Sequence, residues 1–549
     1  MPKRVDRRFV LGFALLAVTL IPMRHTTSAV VYCVLGPALL FGVGLVLSRF
    51  AWGAVLGERI EAVCLRLRDG LMAPDARVFS WVSAGVCLLL GAAGATFLLE
   101  RTPGMEDGAT YLFQAKILAS GHLAASAPLL PEFFETSRTI AADGRWYAQY
   151  PPGFPALLAL GVWVGAPWLL NPILSALNAV LVYRLAREIG SELEARLAGG
   201  IAALSPFVML MSSDYTSNPA SLLLATLFWL AVVIAVRRQS AWAVALAGVA
   251  GSACFTVRPY SALAICLVPA VVCIADLVRR RALGTALLGV LATLPALVLF
   301  GLYNLGTTGD PFVLGYTKLH GVAHAPGFGI SEWDARSWTY QARGMLRQLN
   351  ALNKDLLQMP FPALGLVAAG FMLRRPTFWD ICLLLSFLCL VGFHFVYHWS
   401  SLYLGPRFLF EGVFALAILS ARGLTAIGEA LEARPIPLAR RRALFLAVGL
   451  GATLLFPTAL TARFRAVRAG YSDPTVVREV ERQGLSNALV FVPFVPLDRF
   501  AACFARNSPS LDGPLIFARD LGPENARLAQ LHPERQAYRW DSEGLVPLR

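Results

Sequence analysis

Thirteen long apolar stretches dominate this chain, at residues 9–23, 28–48, 79–99, 171–187, 196–213, 218–236, 240–257, 260–278, 282–303, 361–373, 378–398, 407–427 and 442–462. Most approach the ~20 residues that a helix needs to cross the bilayer hydrocarbon. Within lipid, a chain must satisfy its backbone inside helices or a closed barrel, and runs of this length suit only helices. The pattern therefore predicts an all-α polytopic membrane protein of about 13 transmembrane helices. A soluble fold is excluded, since 57% of residues are hydrophobic, 15% are charged and the mean hydropathy is +0.60. In a soluble domain the net charge of +14 would suggest nucleic acid. Here the arginines sit at the ends of apolar runs, as membrane topology requires, and no nucleic-acid partner is expected. Of the nine cysteines, only Cys503 lies away from the apolar segments, and no disulfide framework or metal-ligand spacing appears.

The N-terminal MPKRVDRR followed by Phe9–Met23 has the charge and length of a signal peptide, but a second apolar run follows almost at once, so a retained anchor is expected. Arg237 and Arg238, Arg279 to Arg281, Arg374 and Arg375, and Arg440 to Arg442 mark alternate connections and belong in the cytoplasm. Gly153–Trp168 would break that alternation if it crossed. Its length and its prolines predict a juxtamembrane helix at the outer face. Arg463, Arg465 and Arg468 dissent from the charge map and precede a polar tail. The chain then divides into a membrane domain, residues 1–463, with outer loops 100–170 and 304–360, and a small extramembrane domain, residues 464–549. NALVFVPF and PLIFARDL read as strands in that second part, so an α/β appendage is expected there.

This topology collects ionisable groups on one side of the membrane. Glu106 and Asp107 open an amphipathic stretch after the third apolar run, Asp214 lies in the turn before Pro219, and Arg258 and Arg407 each sit at a span's outer end. Charges at a membrane boundary are costly unless they serve a purpose or reach the headgroups. Other roles compete with chemistry: Asp107 and Asp214 suit helix caps, and Arg258 and Arg407 suit snorkelling anchors. His394 and His398, four apart, share a helical face and offer a ligand pair or an aromatic interface.

Several segments, taken in order, resemble the GT-C superfamily of integral membrane glycosyltransferases, particularly protein O-mannosyltransferases and the lipid A aminoarabinose transferases (glycosyltransferase family 39-like). DGATYLFQAKILASGHL resembles the family's first outer loop, with Asp107 and Tyr111 matching. YAQYPPGFPALLAL resembles its juxtamembrane helix, SSDYTSNPASLLL its second outer turn, VRPYSALAICLVP a later helix start, and YNLGTTGDPF and LGPRFLF two further outer segments. The resemblance spans about 400 residues.

It implies an inverting transfer of a sugar from an undecaprenyl or similar polyprenyl phosphate carrier to a lipid, glycan or protein acceptor, at the outer face of the inner membrane. Asp107 is then the base, with Asp214 as a second catalytic carboxylate. Glu106, Tyr111, Tyr150, Asn218, Arg258, Tyr316, Tyr403 and Arg407 become substrate contacts, the two arginines on the carrier phosphate. No cofactor is required on this reading, and a divalent cation is left open. Two departures stand out: Gly108 replaces the acid that many members carry after the first Asp, and Asn218 replaces an acid of the second turn. A secondary transporter, a ligase or polymerase using a diphosphate-linked oligosaccharide, and a membrane scaffold are the alternative readings. The transporter expects two related halves meeting near the midplane, whereas the polar groups here gather at one face.

Overall fold

The computed structural model describes residues 36–321, 338–358, 362–397, 402–433, 436–471, 473–541 and 544–548. The expected 9–23 anchor and His398 lie outside these residues. Among the described residues eight helices are long and apolar enough to cross a membrane, or nine if the bent pair Glu192–Leu204 and Pro206–Ser212 is one span. Residues 240–257 and 361–373 are helical, but Ala241–Val257 and Ala363–Leu373 are shorter helices of 17 and 11 residues. At 1.5 Å per residue they reach roughly 26 and 17 Å, short of a ~30 Å hydrocarbon core. Proline is the local cause: Pro259 stops the first, and Pro362 starts the second. The bend of 49° in the pair has the same origin, with Pro206 opening the second helix and Ser205 capping it. Gly153–Trp163 is an apolar helix of 11 residues, too short to cross.

The helices pack through small residues. A Cβ on Gly423 would run into the carbonyl of Leu366, so the helices Ala363–Leu373 and Val413–Ala433 meet backbone to backbone. At the bundle end that carries most arginines, Glu194 lies 2.6 Å from Arg374 and shares Arg422 with Asp380, joining three helix ends. Arg463, which broke the charge pattern, sits at the opposite end and pairs with Asp355 at 3.1 Å, with the Leu404 carbonyl at 2.7 Å. Its position is set by an ion pair.

Two small sheets lie outside the bundle. The 100–170 loop folds into an antiparallel sheet of order β1-β3-β2, from Ala125–Ser126 (β1), Thr139–Ala142 (β2) and Arg145–Ala148 (β3). Asp143 and Gly144, both at positive φ (53° and 72°), make the two-residue turn between β2 and β3. The C-terminal part is the expected α/β unit. Ala488–Val492 (β4) pairs in parallel with Leu515–Arg519 (β5) and Gln536–Trp540 (β6), and Leu545–Pro547 (β7) adds antiparallel to β6. Helices Thr475–Arg482, Leu497–Phe504 and Asn525–Leu531 accompany the sheet.

This unit docks on helix Glu106–Ala119 and on the segment before β2. Phe504 packs against Phe113 and Trp146, and Phe491 against Phe133, with ring centroids 5.3 to 6.1 Å apart. Lys116 donates to the carbonyls of Ala505 (2.7 Å) and Asn507 (2.8 Å), at the end of helix Leu497–Phe504. Arg527 and Arg519 approach Glu132 and Glu135 at 3.6 and 3.8 Å.

Candidate active site

Helix Glu106–Ala119 begins at Glu106 with Met105 as its N-cap and no side-chain cap. Asp107 is therefore not the capping residue. Its carboxylate is instead shared between two guanidiniums, Arg407 Nη1 at 2.8 Å from Oδ2 and Arg138 Nε at 3.3 Å from Oδ1. The Tyr150 hydroxyl also favours the ionised form. Burial disfavours the ionised form of Asp107, but Arg407 and Arg138 outweigh it, and the carboxyl is held below the ordinary range. Glu106 is turned the other way, accepting from the backbone N–H and hydroxyl of Ser137, both at 2.5 Å.

The second carboxylate comes from the turn between helices Pro206–Ser212 and Asn218–Arg238. Asp214 is buried, its Oδ1 accepting from the Gly104 N–H (2.9 Å) and its Oδ2 from the Tyr403 hydroxyl (2.8 Å). Burial raises its affinity for a proton more than these donors lower it. This turn is not helical, so Asp214 and Asn218 have separate partners; the Asn218 amide donates to the Arg407 carbonyl at 2.8 Å. Both nevertheless address one short stretch, Tyr403 to Arg407. Gly108 explains its own departure from the family pattern. A Cβ there would lie 3.4 Å from Asp214 Oδ1, so Asp214 fills the space beside the helix that a longer residue 108 would enter.

One turn beyond Asp107, on the same helix face, Tyr111 bonds to Ser217 Oγ at 3.0 Å, and Arg258 Nη1 reaches the same hydroxyl at 3.3 Å. Arg258 Nε lies 2.8 Å from Glu411, which has no exposed surface. Tyr150 stacks on Tyr111 with centroids 4.1 Å apart, and Tyr316, from the short helix Gly315–His320, meets Tyr150 edge-on at 5.5 Å. His320 bonds to Gln149 at 2.8 Å, so the described start of the 304–360 loop folds over the aromatic pair. His394 belongs to the wall: it contacts Ser261 Oγ at 3.2 Å and packs beside Phe408.

All ten expected residues thus fall in one connected region at one end of the bundle, although they come from segments as far apart as Glu106 and Arg407. Arg138, Ser217 and Glu411 belong to the same network and were not singled out from sequence. Glu411 had a usable signal, a lone acid inside an apolar run, which is expensive unless paired. Arg138 had none, because SRTIAADGR carries no apolar period. Among the described residues no group of three His, Cys, Asp or Glu gathers where it could hold a metal ion.

A family model described as dolichyl-phosphate-mannose-protein mannosyltransferase matches residues 151–311. No curated protein matches. Among solved structures, ArnT from Cupriavidus metallidurans bound to undecaprenyl phosphate is similar at 13% identity and a TM-score of 0.47, over 85% of this chain and 94% of that one. The oligosaccharyltransferase of Archaeoglobus fulgidus in the apo form is similar at 13% identity and a TM-score of 0.41, over 79% and 64%. The family match covers the second outer turn, the Arg258 helix start and the YNLGTTGDPF segment, where the GT-C likeness was read from the sequence.

Proposed function

We propose that this chain, mannosyltransferase-like across residues 151–311, moves a sugar from a polyprenyl-phosphate carrier to an acceptor hydroxyl at the outer face of the inner membrane. The observation that carries the reading is the 2.8 Å contact between Asp107 and Arg407, with Arg258 joined to the same helix through Ser217 and Tyr111. A base and two cations thus occupy one buried polar region. Polyprenyl phosphate supplies an anion at headgroup depth, and a guanidinium meets phosphate oxygens with paired donors.

In the reaction, the acceptor oxygen attacks the anomeric carbon while Asp107 takes its proton. The bond between that carbon and the phosphate oxygen breaks, and its electron pair leaves on the polyprenyl phosphate, where Arg407 and Arg258 stabilise the charge. Attack opposite to the leaving group inverts the anomeric centre. Asp214 holds Tyr403, and through it the turn that carries Arg407. Tyr111, Tyr150 and Tyr316 form an aromatic wall suited to a sugar face. The acceptor is a lipid, a glycan or a protein.

The test uses the protein in lipid nanodiscs with a panel of undecaprenyl-phosphate-linked sugars, following release of undecaprenyl phosphate. We expect Asp107→Asn to lower transfer by about 10²–10⁴-fold with the fold intact. Normal turnover by that variant would sink the mechanism.

A further inference from the structure

Arg407 has two claims on it under the proposed function: it is the closest cation to Asp107, and it is a ligand for the carrier phosphate. A phosphate that draws Arg407 away removes the 2.8 Å contact from Asp107 Oδ2. The remaining cation is Arg138. We propose that Arg138 is the positioning residue of Asp107, travelling with its helix and orienting its carboxylate towards the acceptor once the donor phosphate has engaged Arg407. This inference rests on the reading of Asp107 as the base.

The geometry separates the two arginines. Arg407 starts the span Arg407–Ala433 and is fixed to the bundle by Asn218, with its guanidinium beside Tyr403 and Phe408. Arg138 is joined to the Asp107 helix itself, in two adjacent rungs: Glu106 grips Ser137, and Asp107 meets Arg138. The backbone of Arg138 is held on both sides. Its N–H donates to Thr136 Oγ1 at 3.2 Å, its carbonyl accepts from the Gln149 N–H at 3.0 Å, and the Thr136 and Thr139 hydroxyls meet at 3.1 Å. A shift of helix Glu106–Ala119 against the bundle therefore changes the Arg407 contact and carries Arg138 along.

The contact also has a distinct character. Arg138 Nε lies 3.3 Å from Asp107 Oδ1, yet it is buried with no hydrogen-bond partner. It holds the carboxylate by charge rather than by a directed bond, which leaves an Oδ1 lone pair to receive the acceptor's proton. Tyr150, two residues after β3, also acts on Asp107. The charge of Asp107 in turn reaches Tyr111 one turn along its own helix, Asp214 in the turn after Ser212, and Tyr316, Tyr397 and Tyr403. With Arg407 withdrawn, Arg138 is the remaining ion-pair partner of the carboxylate among the described residues.

The experiment compares the parent with Arg138→Gln, Arg138→Lys and Asp107→Asn in nanodiscs, measuring kcat against pH at saturating undecaprenyl-phosphate-linked sugar, and the donor KM. In Arg138→Gln we expect the acid limb to move up by about one pH unit and kcat to fall by up to roughly a hundredfold, with donor KM within about twofold of the parent. Arg138→Lys returns the limb towards the parent position, which a purely structural role would not produce. An unmoved limb in Arg138→Gln, or a donor KM that rises in step with the loss of kcat, overturns the inference. If Arg138→Gln does not fold, the limb of Arg138→Lys against that of Arg407→Lys decides: a larger shift in the former supports it, and an equal or smaller one overturns it. Normal turnover by Asp107→Asn overturns the base assignment and this inference together. An inactive Asp107→Asn with an unmoved Arg138→Gln limb overturns this inference alone.

Discussion

Glu411→Ala is a direct probe of how the site holds its cations. The carboxylate is fully buried and lies 2.8 Å from Arg258, whose side chain is 18% exposed. Two unit charges about 4 Å apart attract by roughly 4 kcal/mol at an effective dielectric near 20. Removing one member of a buried pair costs about 3–5 kcal/mol, because the other charge stays behind without its partner. We therefore expect Glu411→Ala to lose about that much stability, read from reversible unfolding in mixed detergent micelles. Two comparisons make the value interpretable. The double variant Arg258→Met with Glu411→Leu removes both charges and should recover most of the loss while abolishing donor use. Added undecaprenyl phosphate supplies a replacement anion, so it should stabilise Glu411→Ala more than the parent. The reasoning fails if Glu411→Ala unfolds within about 0.5 kcal/mol of the parent, a shift typical of neutral surface changes, or if the double variant is as unstable as the single one.

Other expectations follow from the same contacts. Because the guanidiniums of Arg407 and Arg138 outweigh burial at Asp107 in the donor-free protein, the parent's kcat/KM should persist as pH falls until below the ordinary carboxylate range, and then be lost as Asp107 protonates; a kcat/KM profile with its acid limb above pH ~5 contradicts this. Lys116→Met orphans the carbonyls of Ala505 and Asn507, each worth about 1–3 kcal/mol if left unpaired, so limited proteolysis should release the C-terminal unit sooner, whereas Lys116→Arg should resist. If Arg258 and Arg407 supply the positive charge at the leaving phosphate, as proposed, treatment with EDTA should leave transfer within about twofold of the untreated rate, a change of under ~0.5 kcal/mol in the barrier; loss restored by magnesium or manganese would contradict it.

Charge and hydropathy carried the sequence reading a long way. Asp107, Asp214, Arg258 and Arg407 could be brought to one end of the bundle before any coordinates, because the arginine bias orients every second connection. The helices Ala241–Val257 and Ala363–Leu373 match the apolar stretches 240–257 and 361–373 to within two residues, with Pro259 and Pro362 at their boundaries. The helix Ala51–Met72, of 22 residues, went unread because its charges interrupt the apolar run. Arg138 illustrates a deeper limit. Its contact with Asp107 comes from a loop folded back onto the start of a helix 31 residues earlier, and long-range pairing of that kind leaves no periodic trace.

The grip of the C-terminal unit on the segment before β2 also orders events in time. Arg519 sits in β5, about 380 residues after Arg138, which at the usual 5–20 residues per second is a delay on the order of 20 to 80 seconds. During that interval the membrane helices can insert and pack while the loop bearing Arg138 lacks its outer support. The contacts of β5 with the segment before β2 can therefore form only after every helix of the bundle has been synthesised.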